Sequence, residues 1–159
     1  MWERRTVVTS RTTILGAFAA AFALGACAAK PPPPPDPQIA ARAAVSARER
    51  QIEDAQDQII RQLAICESGG YGPSERPIYG ARGLYHGRLQ FAPRTVIAYV
   101  KQRDGVQLTL KQASELAHDY DRAASLAKYM IFDLNEPQHW PLCSRKIRMP
   151  QQMAAIQKI

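Results

Sequence analysis

Leu63-Ala64-Ile65-Cys66-Glu67-Ser68-Gly69-Gly70 decides how this chain is read. An apolar helical stretch ends there on a cysteine and a glutamate, and Ser-Gly-Gly stops it, as glycine does just past a helix. A carboxyl held against apolar packing has its pKa raised, the property a general acid needs near neutral pH. A plain surface glutamate at a helix end has the same local signature, so the residues further along the chain must choose between the two.

Upstream, residues 38–65 read as helix: alanine is abundant, no Gly or Pro interrupts, and Ile52, Ala55, Ile59 and Leu63 recur at helical spacing. Residues 38–50 carry only a weak apolar stripe and are expected to project, whereas 52–65 should pack; segment 38–62 is accordingly set apart from a compact domain over 63–148. Arg50/Asp54 and Asp57/Arg61 are four apart and could pair on the exposed face. Downstream, residues 69–93 are rich in Gly, Pro and Tyr and predict a loop with a short hairpin. Pro93 starts a helix that Arg103-Asp104-Gly105 ends, Thr109 caps a helix over 110–118, and Asp119 or Asp121 opens another through Phe132. Asn135-Glu136-Pro137 reads as a turn, and the tail 149–159 as a short helix. No long alternating strand occurs, so the fold class is mostly α.

The 159 residues suffice for one domain plus appendages. Arg4, Arg5 and Arg11 precede the apolar run Ile14 to Ala26, which is short for a membrane span and has the basic flank of a secretory signal. The run ends Leu24-Gly25-Ala26-Cys27. This resembles the lipobox of bacterial lipoproteins and implies cleavage after residue 26 with a lipid on Cys27; an ordinary signal peptide ending near a cysteine is the alternative. Arg4-Arg5 in surroundings that fit poorly gives twin-arginine export little support. Ala28, where retained lipoproteins have Asp, points to the periplasmic face of the outer membrane in a diderm cell; in a monoderm cell the anchor would be the outer face of the cell membrane. Residues 27–37, with Pro31 to Pro35 and Pro37, are expected to be a stiff extended spacer beyond the anchor. The formal charge is +7, and loss of residues 1–26 removes three arginines and Glu3 to leave +5. A basic exported protein suits a polyanionic partner, either cell-wall polymer or membrane surface. The basic residues are scattered and form no nucleic-acid motif, so nucleic acid is not an expected partner.

With Cys27 taken by lipid, Cys66 and Cys143 remain as an even pair in an oxidising compartment and are read as a disulfide. A zinc site using His118 and His139 competes with this, but the spacing matches no standard zinc pattern. Neither a metal nor a cofactor is expected.

Two further motifs favour the functional reading of Glu67. Gly83-Leu84-Tyr85-His86-Gly87-Arg88-Leu89-Gln90-Phe91-Ala92-Pro93-Arg94-Thr95 follows about twenty residues later, and Trp140-Pro141-Leu142-Cys143-Ser144 lies near the end. In this order, Cys-Glu-Ser-Gly-Gly, Gly-x-Leu-Gln-Phe-x-Pro-x-Thr and Trp-Pro-x-Cys resemble the lysozyme-like domain of the resuscitation-promoting factors and soluble lytic transglycosylases, over roughly residues 60–146. The resemblance implies a compact α-rich fold and cleavage of the β-1,4 bond between N-acetylmuramic acid and N-acetylglucosamine in peptidoglycan. It implies that Glu67 is the catalytic acid and then the base on the muramic 6-hydroxyl, giving a 1,6-anhydro end. It also implies that Gln90 lines the cleft, that Tyr85 stacks on a sugar ring, and that Trp140 lines the cleft or fills the core. Ser68 follows the glutamate as in the family and is expected to support the loop.

The chain departs from that pattern in places. Arg88 stands where many relatives have glycine, His86 replaces a common aromatic and is expected to face solvent, and segments 71–83 and 101–122 are longer than in the compact members. Glu75 and Asp121 are candidate second carboxylates. A Glu75 facing Glu67 with room for water would make the protein an inverting muramidase. Retention of the fold without activity, in a wall-binding lipoprotein, is the non-enzymatic alternative.

Overall fold

A computed structural model of the chain describes residues 36–159; the signal-like segment, Cys27 and the prolines 31–35 lie outside them. Among these residues are six α-helices, α1 (Pro37–Ser68), α2 (Pro93–Asp104), α3 (Leu110–His118), α4 (Tyr120–Lys128), α5 (Pro141–Lys146) and α6 (Met149–Ile156), and one small antiparallel pair, β1 (Tyr79–Gly80) and β2 (Tyr85–His86), which lies against α3. Among these residues no helix is long and apolar enough to cross a membrane.

Helix α1 has 32 residues and is about 48 Å long at 1.5 Å per residue. Asp36 caps it, accepting the Gln38 N–H at 2.8 Å. Every side chain from Pro37 to Gln51 is exposed except Ser46, and burial begins at Ile52. The helix runs unbroken past residues 62 and 65 to Ser68, so its exposed and packed parts are one rod. Gly69 ends it in the left-handed conformation, its N–H bonding the Ile65 carbonyl at 2.8 Å.

Ile59, Ile60, Leu63 and Ala64 of α1 enter a core shared with Val96 and Val100 of α2, Leu116 of α3 and Leu126 of α4. Spacings of three and four give each helix one apolar stripe, and the stripes converge. Local capping is as the sequence predicts. Thr109 and Gln112 form a reciprocal capping box on α3, and Asp119 caps α4 through the Arg122 N–H. The stretch Tyr129–Asp133 widens into a single π-helical turn, and α5 is a short helix with no sequence expectation behind it. One surface pair differs from expectation. Asp57 meets Lys128 of α4 at 2.5 Å, while Arg61 lies 5.9 Å from the centre of the Tyr71 ring. A neighbouring helix brings a cation closer to Asp57 than the next turn of its own does.

Cys66 and Cys143 are bonded, with their Cα atoms 5.8 Å apart. The bond joins the last turn of α1 to α5 and closes a loop across a separation of 77 residues. The thiols are thereby unavailable to a metal, and no group of three or more His, Cys, Asp or Glu residues fit to hold one occurs among the described residues. The Cys66→Ser, Cys143→Ser double variant should be less stable by about 4–5 kcal/mol in denaturant titration, the chain-entropy value for a loop of this length. A loss well under 2 kcal/mol would mean that packing alone holds α5 on α1.

Candidate active site

Three ties bring together motifs that lie far apart in sequence. The disulfide fixes Trp140-Pro141-Leu142-Cys143 beside Glu67. The Trp140 indole N–H donates to the Leu89 carbonyl at 2.8 Å in the buried interior, and its ring meets Phe91 edge to face at 5.3 Å. Arg88 reaches back to the segment after Glu67: its Nε–H donates to the Gly72 carbonyl at 3.4 Å, and its guanidinium lies so close over Gly70 that a Cβ there would be 2.7 Å from Nη1.

Glu67 is half-buried in the last turn of α1. Burial raises its carboxyl pKa above the usual 4.5, and no cation or hydrogen-bond donor offsets that. Ser68 supports the helix end beneath it, its hydroxyl lying 3.1 Å from the Ala64 carbonyl and 3.3 Å from that of Gly70. Its single proton lies between the two carbonyls, so Ser68 braces the end of α1 against the residues that follow.

Gln90 closes a four-residue turn, Gly87–Gln90, flanked by the mutual backbone bonds of His86 and Phe91 at 2.9 Å. It holds a left-handed φ of 51°, a strained conformation for a residue with a side chain, and its Nε2 donates to the Gly87 carbonyl at 2.7 Å. Its Oε1 occupies the space where a Cβ on residue 80 would stand, 1.7 Å away, so a side chain at Gly80 would displace the Gln90 amide. Gly87 is held more strictly, because its φ is 75° and a Cβ there would be 1.7 Å from the backbone carbonyl of Ala117. The turn thus rests directly on the backbone of α3, and the Gln90 amide is committed to shaping it.

Tyr85 is 44% exposed and available to a ligand face, as is Tyr71 at 54%. Trp140 is only 4% exposed with its N–H in use, so it is a core pillar under the Leu89–Gln90 turn and has no open face for a sugar. Tyr99 braces the turn before it, donating to Glu136 and lying 2.6 Å from His139 Nε2. Burial, then the Glu136 bond, pushes the Tyr99 hydroxyl up to about 12. Glu75 lines a cavity between the β pair and α3 that Glu67 does not line. Asp121 belongs to the α4 surface beside Tyr120.

The sequence did not reveal a cluster around two histidines. His86, expected in solvent, is half-buried: its Nδ1 is 2.7 Å from Ser114 Oγ and its Nε2 3.0 Å from the Gly83 carbonyl. It stacks on His118 at 5.4 Å, and Tyr79 meets both rings edge to face. His118 Nδ1 accepts the Ile78 N–H at 3.4 Å, a contact that favours the neutral ring with its proton on Nε2, which among the described residues is buried without a partner. Residues 86 and 118 share no motif, and only the seating of the hairpin on α3 joins them.

No family model, curated protein or solved structure matches this chain.

Two predictions rest on this geometry. Trp140→Phe leaves the buried Leu89 carbonyl without its donor and should cost about 1–3 kcal/mol in denaturant titration; an unchanged midpoint would remove Trp140 as the pillar of the turn. The second concerns pH. Burial, then the neighbouring His86, holds the His118 pKa below the ordinary 6.5. A depressed histidine pKa contributes stability that is complete above 6.5 and is lost as pH falls toward the lower folded value. His118→Asn should flatten the acid limb of a Tm-against-pH curve, and an unaltered limb would show that another group controls it.

Proposed function

We propose that this protein cleaves peptidoglycan glycan strands as a lytic transglycosylase of lysozyme-like character, with Glu67 as its single acid and base. The observation that carries the reading is the half-buried Glu67 carboxyl, its pKa raised by burial, followed by a segment that Arg88 ties to the Gly87–Gln90 turn, which Trp140 ties to α5. The resemblance of the three motifs to the lysozyme-like domain supports the choice of substrate.

The steps balance without water. The neutral Glu67 carboxyl gives its proton to the oxygen linking N-acetylmuramic acid to N-acetylglucosamine as the C1–O bond breaks. The substrate's own N-acetyl oxygen stabilises the positive charge at C1. The Glu67 carboxylate then takes the proton of the muramic 6-hydroxyl, whose oxygen closes on C1 to give the 1,6-anhydro end. A second carboxylate is not required, unlike in ordinary two-acid glycosidases. Glu75, on a cavity that Glu67 does not line, is a poor water-activating partner, which favours the transglycosylase over the muramidase. Tyr85 supplies an exposed ring for stacking, while Gln90 acts by fixing the turn. A lipid on Cys27 and the proline spacer would hold this chemistry at a membrane surface facing the wall.

Mass spectrometry of products from purified peptidoglycan tests the reading. The wild type should release anhydro-muropeptides, and Glu67→Gln should lower the rate roughly 100- to 10,000-fold. Products one water heavier would instead mean a muramidase, and no cleavage by the folded, disulfide-bonded protein would mean a wall-binding lipoprotein. Activity should decline as pH rises through the raised Glu67 value, because the acid form is the proton donor. A raised carboxyl pKa means that stability is complete below 4.5 and is lost as pH rises through the folded value. Glu67→Gln should therefore be more stable than the wild type at neutral pH while being far less active, and a loss of stability would assign Glu67 a structural role.

A further inference from the structure

A cavity of about 470 Å3 opens between the segment before β1, the Gly87–Arg88 turn and α3. This volume is in the range of small-ligand sites. Its walls carry two guanidinium groups, Arg76 and Arg88, and two carboxylates, Glu75 and Glu115. Among the described residues, neither guanidinium forms an ion pair with either carboxylate; the nearest cation to Glu115 is Lys111 at 3.9 Å, on the exposed side of α3. Among the described residues the Glu75 and Arg76 side chains make no ion pair or hydrogen bond, and Arg88 spends only its Nε–H, on the Gly72 carbonyl, so donors and acceptors remain on this wall for a ligand. Tyr79 and the neutral ring of His118 supply an aromatic surface between them.

We propose that this cavity binds the zwitterionic head of an amino acid within a short peptide: a carboxylate held by Arg76 and Arg88, with a nearby ammonium held by Glu75 and Glu115. Guanidinium groups engage carboxylates through directed, charge-assisted donors, and carboxylates accept from an ammonium in the same way. The balanced lining disfavours a simple anion, which would face two carboxylates, and equally a simple cation. A wall peptide whose diamino acid retains a free amino and a free carboxyl group carries this pattern. The identification rests on the peptidoglycan reading above, and it gives the long segment 71–83 a task, that of gripping the peptide while the glycan lies at Glu67. Arg88 joins the two regions, because its guanidinium lies over Gly70 and its side chain also lines the cavity.

Calorimetry and amide NMR on the full-length protein, with the free tetrapeptide L-Ala-γ-D-Glu-meso-diaminopimelate-D-Ala as probe, test this without any glycan. The peptide should bind and shift the amides of Tyr79, Ser114 and His118. Arg76→Glu, N-acetylation of the diaminopimelate amine and amidation of its carboxyl should each weaken binding roughly tenfold or more, the scale of one lost charge-assisted contact. Arg76 and Glu75 are exposed, so their variants keep the fold, and Glu75→Lys should act like Arg76→Glu. No binding, or binding that ignores all of these changes, overturns the proposal. Cleavage of peptide-free glycan without peptide binding would overturn it while leaving the transglycosylase reading intact. Peptide binding with these sensitivities but no glycan cleavage would uphold it and remove that reading.

Discussion

The bond between Cys66 and Cys143 holds the end of a 32-residue helix against a six-residue one, and the neighbourhood of Glu67 depends on that attachment. A helix as short as α5 has little stability of its own. Anchored, it presents Trp140, whose indole N–H supports the Leu89 carbonyl and so the turn that ends at Gln90. The turn in turn sends Arg88 back over Gly70, three residues past the glutamate. The chain of contacts closes on itself, and removing any one member loosens the others.

Backbone strain gathers in the hairpin, and an uncompensated, half-buried carboxyl stands at the end of α1. Ala81, Arg82 and Gln90 all hold left-handed backbone conformations within a dozen residues, at a cost that extended or helical backbone would not incur. Glu67 sits half out of water without a compensating partner. Both features oppose stability, and both persist because the surrounding core over-determines them. An unpaired carboxyl retained against its own desolvation cost is the arrangement that a proton donor requires and a structural carboxylate does not.

Much of the architecture was legible because it is local. Thr109 before Leu110, Asp119 (with Asp121 as the alternative) before α4, and Gly105 after Asp104 each act within one helical turn, and the structure forms helices at those places. The apolar spacing of Ile52, Ile59 and Leu63 likewise located the packed part of α1. Less was legible where a residue's role depends on its distant neighbours. For Trp140 the sequence left cleft and core both open, and for Gln90 it pointed to the cleft; the carbonyl that each side chain meets is supplied only by the folded turn. His86 read as solvent-facing until Ser114 and His118, some thirty residues away, closed around it.

By itself, then, the sequence determined a mostly helical chain, the helix that stops just past Glu67, and a cysteine pair able to bond. These follow from side-chain periodicity, from glycine's tolerance of left-handed backbone, and from thiol chemistry, all readable along the chain. Only the tertiary structure decided that α1 runs as one unbroken rod, that Glu67 is half withdrawn from water, that Trp140 is buried, and that Glu75 and Arg76 share a cavity with Arg88 and Glu115. Burial and juxtaposition are properties of surfaces brought together from remote segments, and no local spacing encodes them.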